Sequence, residues 1–270
     1  MYPFWIIGAT YISMRKLLTA VGCVINFIVL TILLTKRLTK GMKEEKPAAG
    51  KWFFQVLLPL ITELCIFISV GHFLGNLIRA LTRPLKENIA EEMQYVVDGA
   101  GVHFIGTVLA SALLLPLIFQ WIYRREADSK LDVMAFFFTI QHICNRIGCF
   151  LEGCCYGIPA SGVLSVRFPE NPPYRVFPSQ LFEASLMLLL LILQCILYKK
   201  GKSIFRSTML LFGASILLSE CFMDKRGVVM YAGLTAIQVA AILLMIVSLI
   251  EIFAARRRSA DGQTQKGRQK

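Results

Sequence analysis

Apolar residues along this chain fall into long, nearly unbroken runs, not into the alternation of strands or the one-sided stripe of a soluble amphipathic helix. Seven runs, at 17–35, 53–79, 96–123, 133–157, 178–198, 208–223 and 234–255, are separated by short polar connections. A helix needs about 20 mostly apolar residues to cross the roughly 30 Å hydrocarbon layer of a bilayer. Each run therefore predicts a spanning helix, the sixth short and the fourth interrupted by glycines. The period-two pattern of an outer-membrane barrel is absent. The expected fold is all-α, a polytopic membrane helix bundle of about seven transmembrane helices. The apolar stretch 2–13 lacks a basic leader and a small-residue cleavage site, so it reads as an interfacial lead-in to the first span.

Composition and charge give this bundle an orientation. Residues of the AVILMFWYC set make up 56% of the 270 residues, and only 17% are charged, against about 25% in soluble domains. Of 29 Lys and Arg, six lie in 36–51, three in 124–130, four in 199–206 and six beyond 255. Those nineteen fall on alternate connections, whereas the other three connections hold two each. The positive-inside rule then puts the N-terminus outside and the C-terminus in the cytoplasm. The net charge of +12 belongs to topology and to attraction by anionic headgroups. No basic run carries interleaved aromatics, so no nucleic acid partner is expected. The domain reading is one transmembrane domain, 1–255, and a basic cytoplasmic tail, 256–270, expected to be disordered.

Ionisable groups inside spans are expensive and mark function by default. Glu63, His72, Arg79, Asp98, His103, His142, Arg146, Glu152, Glu183 and Glu220 occupy five of the seven runs, which implies a shared polar cavity. His142, Asn145, Arg146 and Cys149 recur at i, i+3, i+4 and i+7, on one helix face. Arg146 cannot shed its proton and so needs an anion. The candidates are a carboxylate such as Glu152, Glu183 or Glu220, or a lipid phosphate gripped through paired donors. Gly148, Gly153 and Gly157 allow close backbone approach to a ligand. Asp98 and His103, interleaved with glycines, read as a broken helix end, with His103 a candidate general base.

Four of the eight cysteines crowd into 144–155. Thiols beside His142 could hold a soft metal. Their spacing matches no common metal motif, however, and no zinc-type CxxC pair occurs, so no metal is expected. A disulfide from Cys149 to Cys154 or Cys155 is the alternative on an oxidising face of the membrane.

Arg146, Gly148, Cys149, Gly153, Cys154, Cys155, Tyr156 and Gly157 are spaced as in R-x-G-C-x-x-x-G-C-C-Y-G. This resembles the variant signature of a branch of the prolipoprotein diacylglyceryl transferase family. Pro178 to Glu183 resembles the family's P-S-Q-L-Y-E helix opening. Gly233, Leu234, Thr235 and Gln238 resemble its G-L-T-x-x-Q opening of the last helix. The resemblance covers most of 71–250. It implies transfer of a diacylglyceryl group from phosphatidylglycerol to the lipobox cysteine of a prolipoprotein, with release of glycerol phosphate. The setting would be a bacterial cytoplasmic membrane, with no cofactor. The implied partners are phosphatidylglycerol, the prolipoprotein signal peptide and membrane lipids, and the protein is expected to act as a monomer.

On that resemblance Arg146, Gly148, Cys149, Glu152, Gly157 and Gln180 would bind substrate, and His103, Glu183 and Glu220 would serve catalysis. The chain departs from the usual motif in having Cys149 and Glu152 where Asn is usual, and Cys154 where Glu is usual. Phe104 stands at the family's histidine, with His103 one residue early, and Ile216 stands at an arginine. These departures leave two further readings open: a non-catalytic lipid- or lipoprotein-binding protein of the same fold, and a thiol- or metal-dependent membrane oxidoreductase.

Overall fold

The computed structural model describes residues 4–7, 10–39, 49–81, 104–168, 173–226 and 228–268. The stretch expected as an interfacial lead-in contains a hairpin. β1 (Phe4–Ile7) pairs antiparallel with β2 (Thr10–Ser13), from Phe4 against Ser13 to Ile7 against Thr10. Aromatic and β-branched residues favour this extended pairing over a helix.

After α1 (Met14–Thr39), the second apolar run is a series of helical segments. α2 (Ala49–Trp52), α3 (Leu58–Ile66) and α4 (His72–Leu81) are joined by π-helical turns at Phe53–Leu57 and Phe67–Gly71. Pro59 accounts for the first of these. It has no N–H, and its ring crowds the carbonyl four residues earlier, that of Gln55. The freed oxygen is not stranded, because Lys130 Nζ donates to it at 3.1 Å. The neighbouring Phe54 carbonyl accepts from the Tyr123 hydroxyl at 3.0 Å.

α5 (Phe104–Tyr123), α6 (Ala127–Glu152), α7 (Ser179–Lys199) and α8 (Phe205–Glu220) follow. A two-residue ribbon, β3 (Met230–Tyr231) with β4 (Leu234–Thr235), leads into α9 (Ala236–Arg268). Among the described residues six helices are long and apolar enough to cross a membrane. α8 is shorter; its 16 residues reach about 24 Å at 1.5 Å per residue, in keeping with the short sixth run. Of the third run, the part from Phe104 onward is described.

α9 continues past 255 to Arg268. Ala254, Ala255 and three successive arginines are good helix formers. Cations near a helix C-terminus also complement its dipole.

α6 is the central helix, packed against α1, α5, α7 and α8, while α9 lies on α8 and α5. Phe119, Phe138, Phe205, Phe212 and Met134 fill the interior, whereas Phe27, Leu189, Ile192 and Phe253 face outward. Polar side chains point inward and bridge helices. Asn26 Nδ2 donates to Gln141 Oε1 at 3.1 Å, and Gln194 Nε2 donates to Thr139 Oγ1 at 2.9 Å and Thr208 Oγ1 at 3.1 Å. Polar groups inside and hydrocarbon outside is the arrangement a bilayer demands. At the end of the bundle where α1 finishes and α6 begins, a cavity of about 720 Å³ is lined by Lys36, Arg37, Lys51, Lys130 and Lys199. Five of the cations counted from the sequence therefore gather at one end.

Candidate functional site

The last turns of α6 carry the polar face read from the i, i+4 spacing. Of the three carboxylates named for Arg146, the structure selects Glu183 on α7. Arg146 Nε lies 2.9 Å from Glu183 Oε1. His142 Nε2 lies 2.5 Å from the same oxygen, and Ser219 Oγ of α8 donates to Oε2 at 2.9 Å. Glu183 is 1% exposed and the Arg146 side chain 12%, so the carboxylate is sealed and its arginine partner nearly so.

His142 Nε2 is also 3.4 Å from Arg146 Nε. One ring nitrogen cannot donate to the carboxylate and accept from the guanidinium together. The shorter contact decides, so Nε2–H donates to Glu183. That leaves Nδ1 as the acceptor, buried and without a hydrogen-bond partner among the described residues. The imidazole packs against both Phe104 and Phe212, at centroid distances of 5.3 and 5.0 Å.

Beyond Glu152 the chain turns back on itself. Gly153 takes the left-handed conformation at φ 71° and ends α6, its N–H reaching the Phe150 carbonyl at 3.2 Å. Cys155 is also left-handed, at φ 55°, which a non-glycine residue adopts at a cost of roughly 1 kcal/mol or more. Two buried side chains at the start of α7 hold the turn: Gln180 Nε2 donates to the Cys154 carbonyl at 2.6 Å and Ser179 Oγ to that of Cys155 at 2.9 Å. The thiols of Cys149, Cys154 and Cys155 lie within 4.8 Å of one another, and no disulfide joins them. The neighbouring thiols of Cys149 and Cys155, with burial, push the Cys154 thiol up from its ordinary value.

Glu152 does not meet Arg146. Its carboxylate takes Arg15 at 3.3 Å, the Arg15 backbone N–H at 3.1 Å and the Ser13 hydroxyl, tying the start of α1 to the end of α6. Gly148 makes that contact possible, since a Cβ there would stand 2.7 Å from Arg15 Cα. The absent side chain of Gly157 likewise serves packing, because a Cβ would come within 2.5 Å of the Phe222 carbonyl.

Glu220 Oε2 accepts from Thr235 Oγ1 at 3.1 Å. Thr235 and Gln238 form a reciprocal cap on α9, with Thr235 N–H donating to Gln238 Oε1 at 2.9 Å and Gln238 N–H to Thr235 Oγ1 at 3.1 Å. This is the capping box of a T-x-x-Q start, and it gives the G-L-T-x-x-Q motif a physical reason. His103 and Asp98 lie outside the described residues.

The three sequence motifs thus converge on one end of the bundle. A profile of the prolipoprotein diacylglyceryl transferase family matches residues 5–254. The chain belongs to this family. Proteins named phosphatidylglycerol–prolipoprotein diacylglyceryl transferase are similar to it. That of Clostridium tetani is 25% identical over 131 residues, 46% of this chain and 51% of its own length. That of Dehalococcoides mccartyi is 30% identical over 115 residues, 39% and 42%. That of Rhizobium meliloti is 30% identical over 140 residues, 50% and 44%. The chain therefore spans about half the length of the curated relatives it matches.

With six apolar helices, this family member is a multi-pass membrane protein. Two residues at this end of the bundle were given no catalytic or binding role from the sequence, His142 and Arg15. His142 was signalled by its i, i+4 spacing to Arg146. Arg15 carried no signal in the sequence beyond its charge just before the first apolar run.

Proposed function

We propose that the chain transfers a diacylglyceryl group from phosphatidylglycerol to the lipobox cysteine of a prolipoprotein, at the outer side of a bacterial cytoplasmic membrane. The observation that carries this reading is the buried Arg146–Glu183–His142 cluster, in which the carboxylate engages Nε of the guanidinium. A guanidinium carries five donors. Arg146 Nε is engaged by Glu183, so the terminal nitrogens are the ones to meet a lipid phosphate.

In the reaction the acceptor sulfur attacks the glyceryl carbon next to the phosphate ester. The carbon–oxygen bond breaks, and its electron pair leaves on the phosphate of glycerol phosphate. A cation placed where that charge develops lowers the barrier. The attacking species is the thiolate, so a base must take the proton. His142 Nδ1 is the uncommitted nitrogen, and Glu183 holds the opposite N–H, as a carboxylate orients a catalytic imidazole. Glu220 and Gln180 are engaged in holding the start of α9 and the cysteine turn, and act by positioning.

Purified protein in phosphatidylglycerol vesicles should add a diacylglyceryl mass to a lipobox peptide, and Arg146→Ala should remove that product. Folded protein that binds the lipid in an Arg146-dependent way yet leaves the peptide unmodified would overturn the transferase reading in favour of a lipid-binding role.

A further inference from the structure

Cys149, Cys154 and Cys155 are spaced as no common metal motif is, but folding removes that objection. The left-handed turn at Gly153 and Cys155 reverses the chain, so that the consecutive pair returns to the last turn of α6. Gln180 and Ser179 pin the two carbonyls from a second helix, so the turn is held from outside itself.

Sulfurs sharing one zinc at about 2.3 Å each lie about 4 Å apart, and the three here are within 4.8 Å of one another. Cys149 is buried, Cys154 half-buried and Cys155 exposed, which gives an ion a path from the surface. Two arginines also stand beside the sulfurs. Three thiolates on a divalent ion leave one negative charge, and Arg15 interacts electrostatically with all three sulfurs. Arg146 does so with Cys149 and Cys155. Glu152, which accepts from the Cys154 thiol at 3.8 Å, is itself neutralised by Arg15.

We propose that Cys149, Cys154 and Cys155 form a three-thiolate site for a zinc-class ion, with the fourth position open. Binding one ion releases the three thiol protons to solvent and needs no oxidant or reductant. The site is independent of the transferase reading, because an ion there is detected by its own signal whether or not transfer occurs.

The test uses the whole protein in detergent, prepared anaerobically and reduced, loaded with Zn²⁺ or Co²⁺ and freed of excess ion. Expected results are about one retained ion per chain, a thiolate-to-cobalt charge-transfer band, and protection of three of the eight thiols from maleimide. Cys149→Ser and Cys155→Ser should weaken retention by more than the roughly 10- to 100-fold that losing an outer-shell contact costs. Cys221→Ser should leave it unchanged.

If the serine variants fail to fold, maleimide protection mapped by mass spectrometry on the unaltered protein still decides. Protection absent at these three positions overturns the site. So does retention unchanged in folded serine variants, or a Cys149 disulfide in the reduced, loaded protein.

Discussion

Two buried carboxylates lie at opposite ends of the same helix packing, and they are held in opposite ways. Asp132, near the start of α6, accepts from the backbone N–H groups of Ile204 and Phe205, at 2.8 and 3.0 Å, and from Ser203 Oγ at 3.1 Å. Those amides are the orphan donors at the start of α8, so the acid is a cap supplied by another helix. Among the described residues Glu183 accepts from side chains and not from backbone. Its partners are a guanidinium, an imidazole and a hydroxyl. A carboxylate consumed by main-chain donors is fixed with the fold. One consumed by ionisable side chains sits among groups that can turn to a ligand. Burial and charge alone do not distinguish structure from function here; the kind of donor does.

The largest test of that contrast is Arg146→Ala, expected to lower diacylglyceryl transfer by about 100-fold or more, read as product mass on a lipobox peptide. Arg146→Lys keeps the charge but loses the paired donors, and should recover only part of the rate. Wild-type turnover in the alanine variant would remove Arg146 from the chemistry.

Glu183→Gln comes next. Breaking a buried ion pair by removing one partner costs roughly 3–5 kcal/mol, so Tm and transfer should both fall. An unaltered melting curve would mean that Arg146 finds another anion at no cost.

Asp132→Asn sharpens the comparison from the other side. It should cost about 1–2 kcal/mol, as lost caps do, while leaving transfer per folded molecule unchanged. Loss of transfer without loss of stability would erase the distinction drawn between the two acids.

The smallest expected effect is that of Thr235→Val, about 1 kcal/mol for the cap of α9, visible as faster amide exchange in the first turn of that helix. Protection equal to wild type would show that the cap contributes nothing.

The bundle was legible because hydrocarbon thickness imposes a run length that survives in the sequence. The π-helical turn before Pro59 follows from its missing N–H, but the ammonium that satisfies Gln55 comes from Lys130, 75 residues away, and no local pattern announces it. In the site, helical spacing put His142 and Arg146 together, whereas spacing could not choose among Glu152, Glu183 and Glu220. That choice depends on how α6 and α7 pack, and the structure gives Glu152 to Arg15 instead. The hairpin strands β1 and β2 and the extension of α9 beyond 255 were not legible for a simpler reason: apolarity without regular period, or charge without apolarity, does not select a backbone conformation.

Ser179 and Gln180 grip main-chain oxygens, which every amino acid possesses, and not the sulfurs beside them. Positions 154 and 155 are thereby sockets whose occupants can be swapped while the loop keeps its course. A lineage could exchange one reactive group for another at this mouth of the bundle without redesigning the helices that frame it.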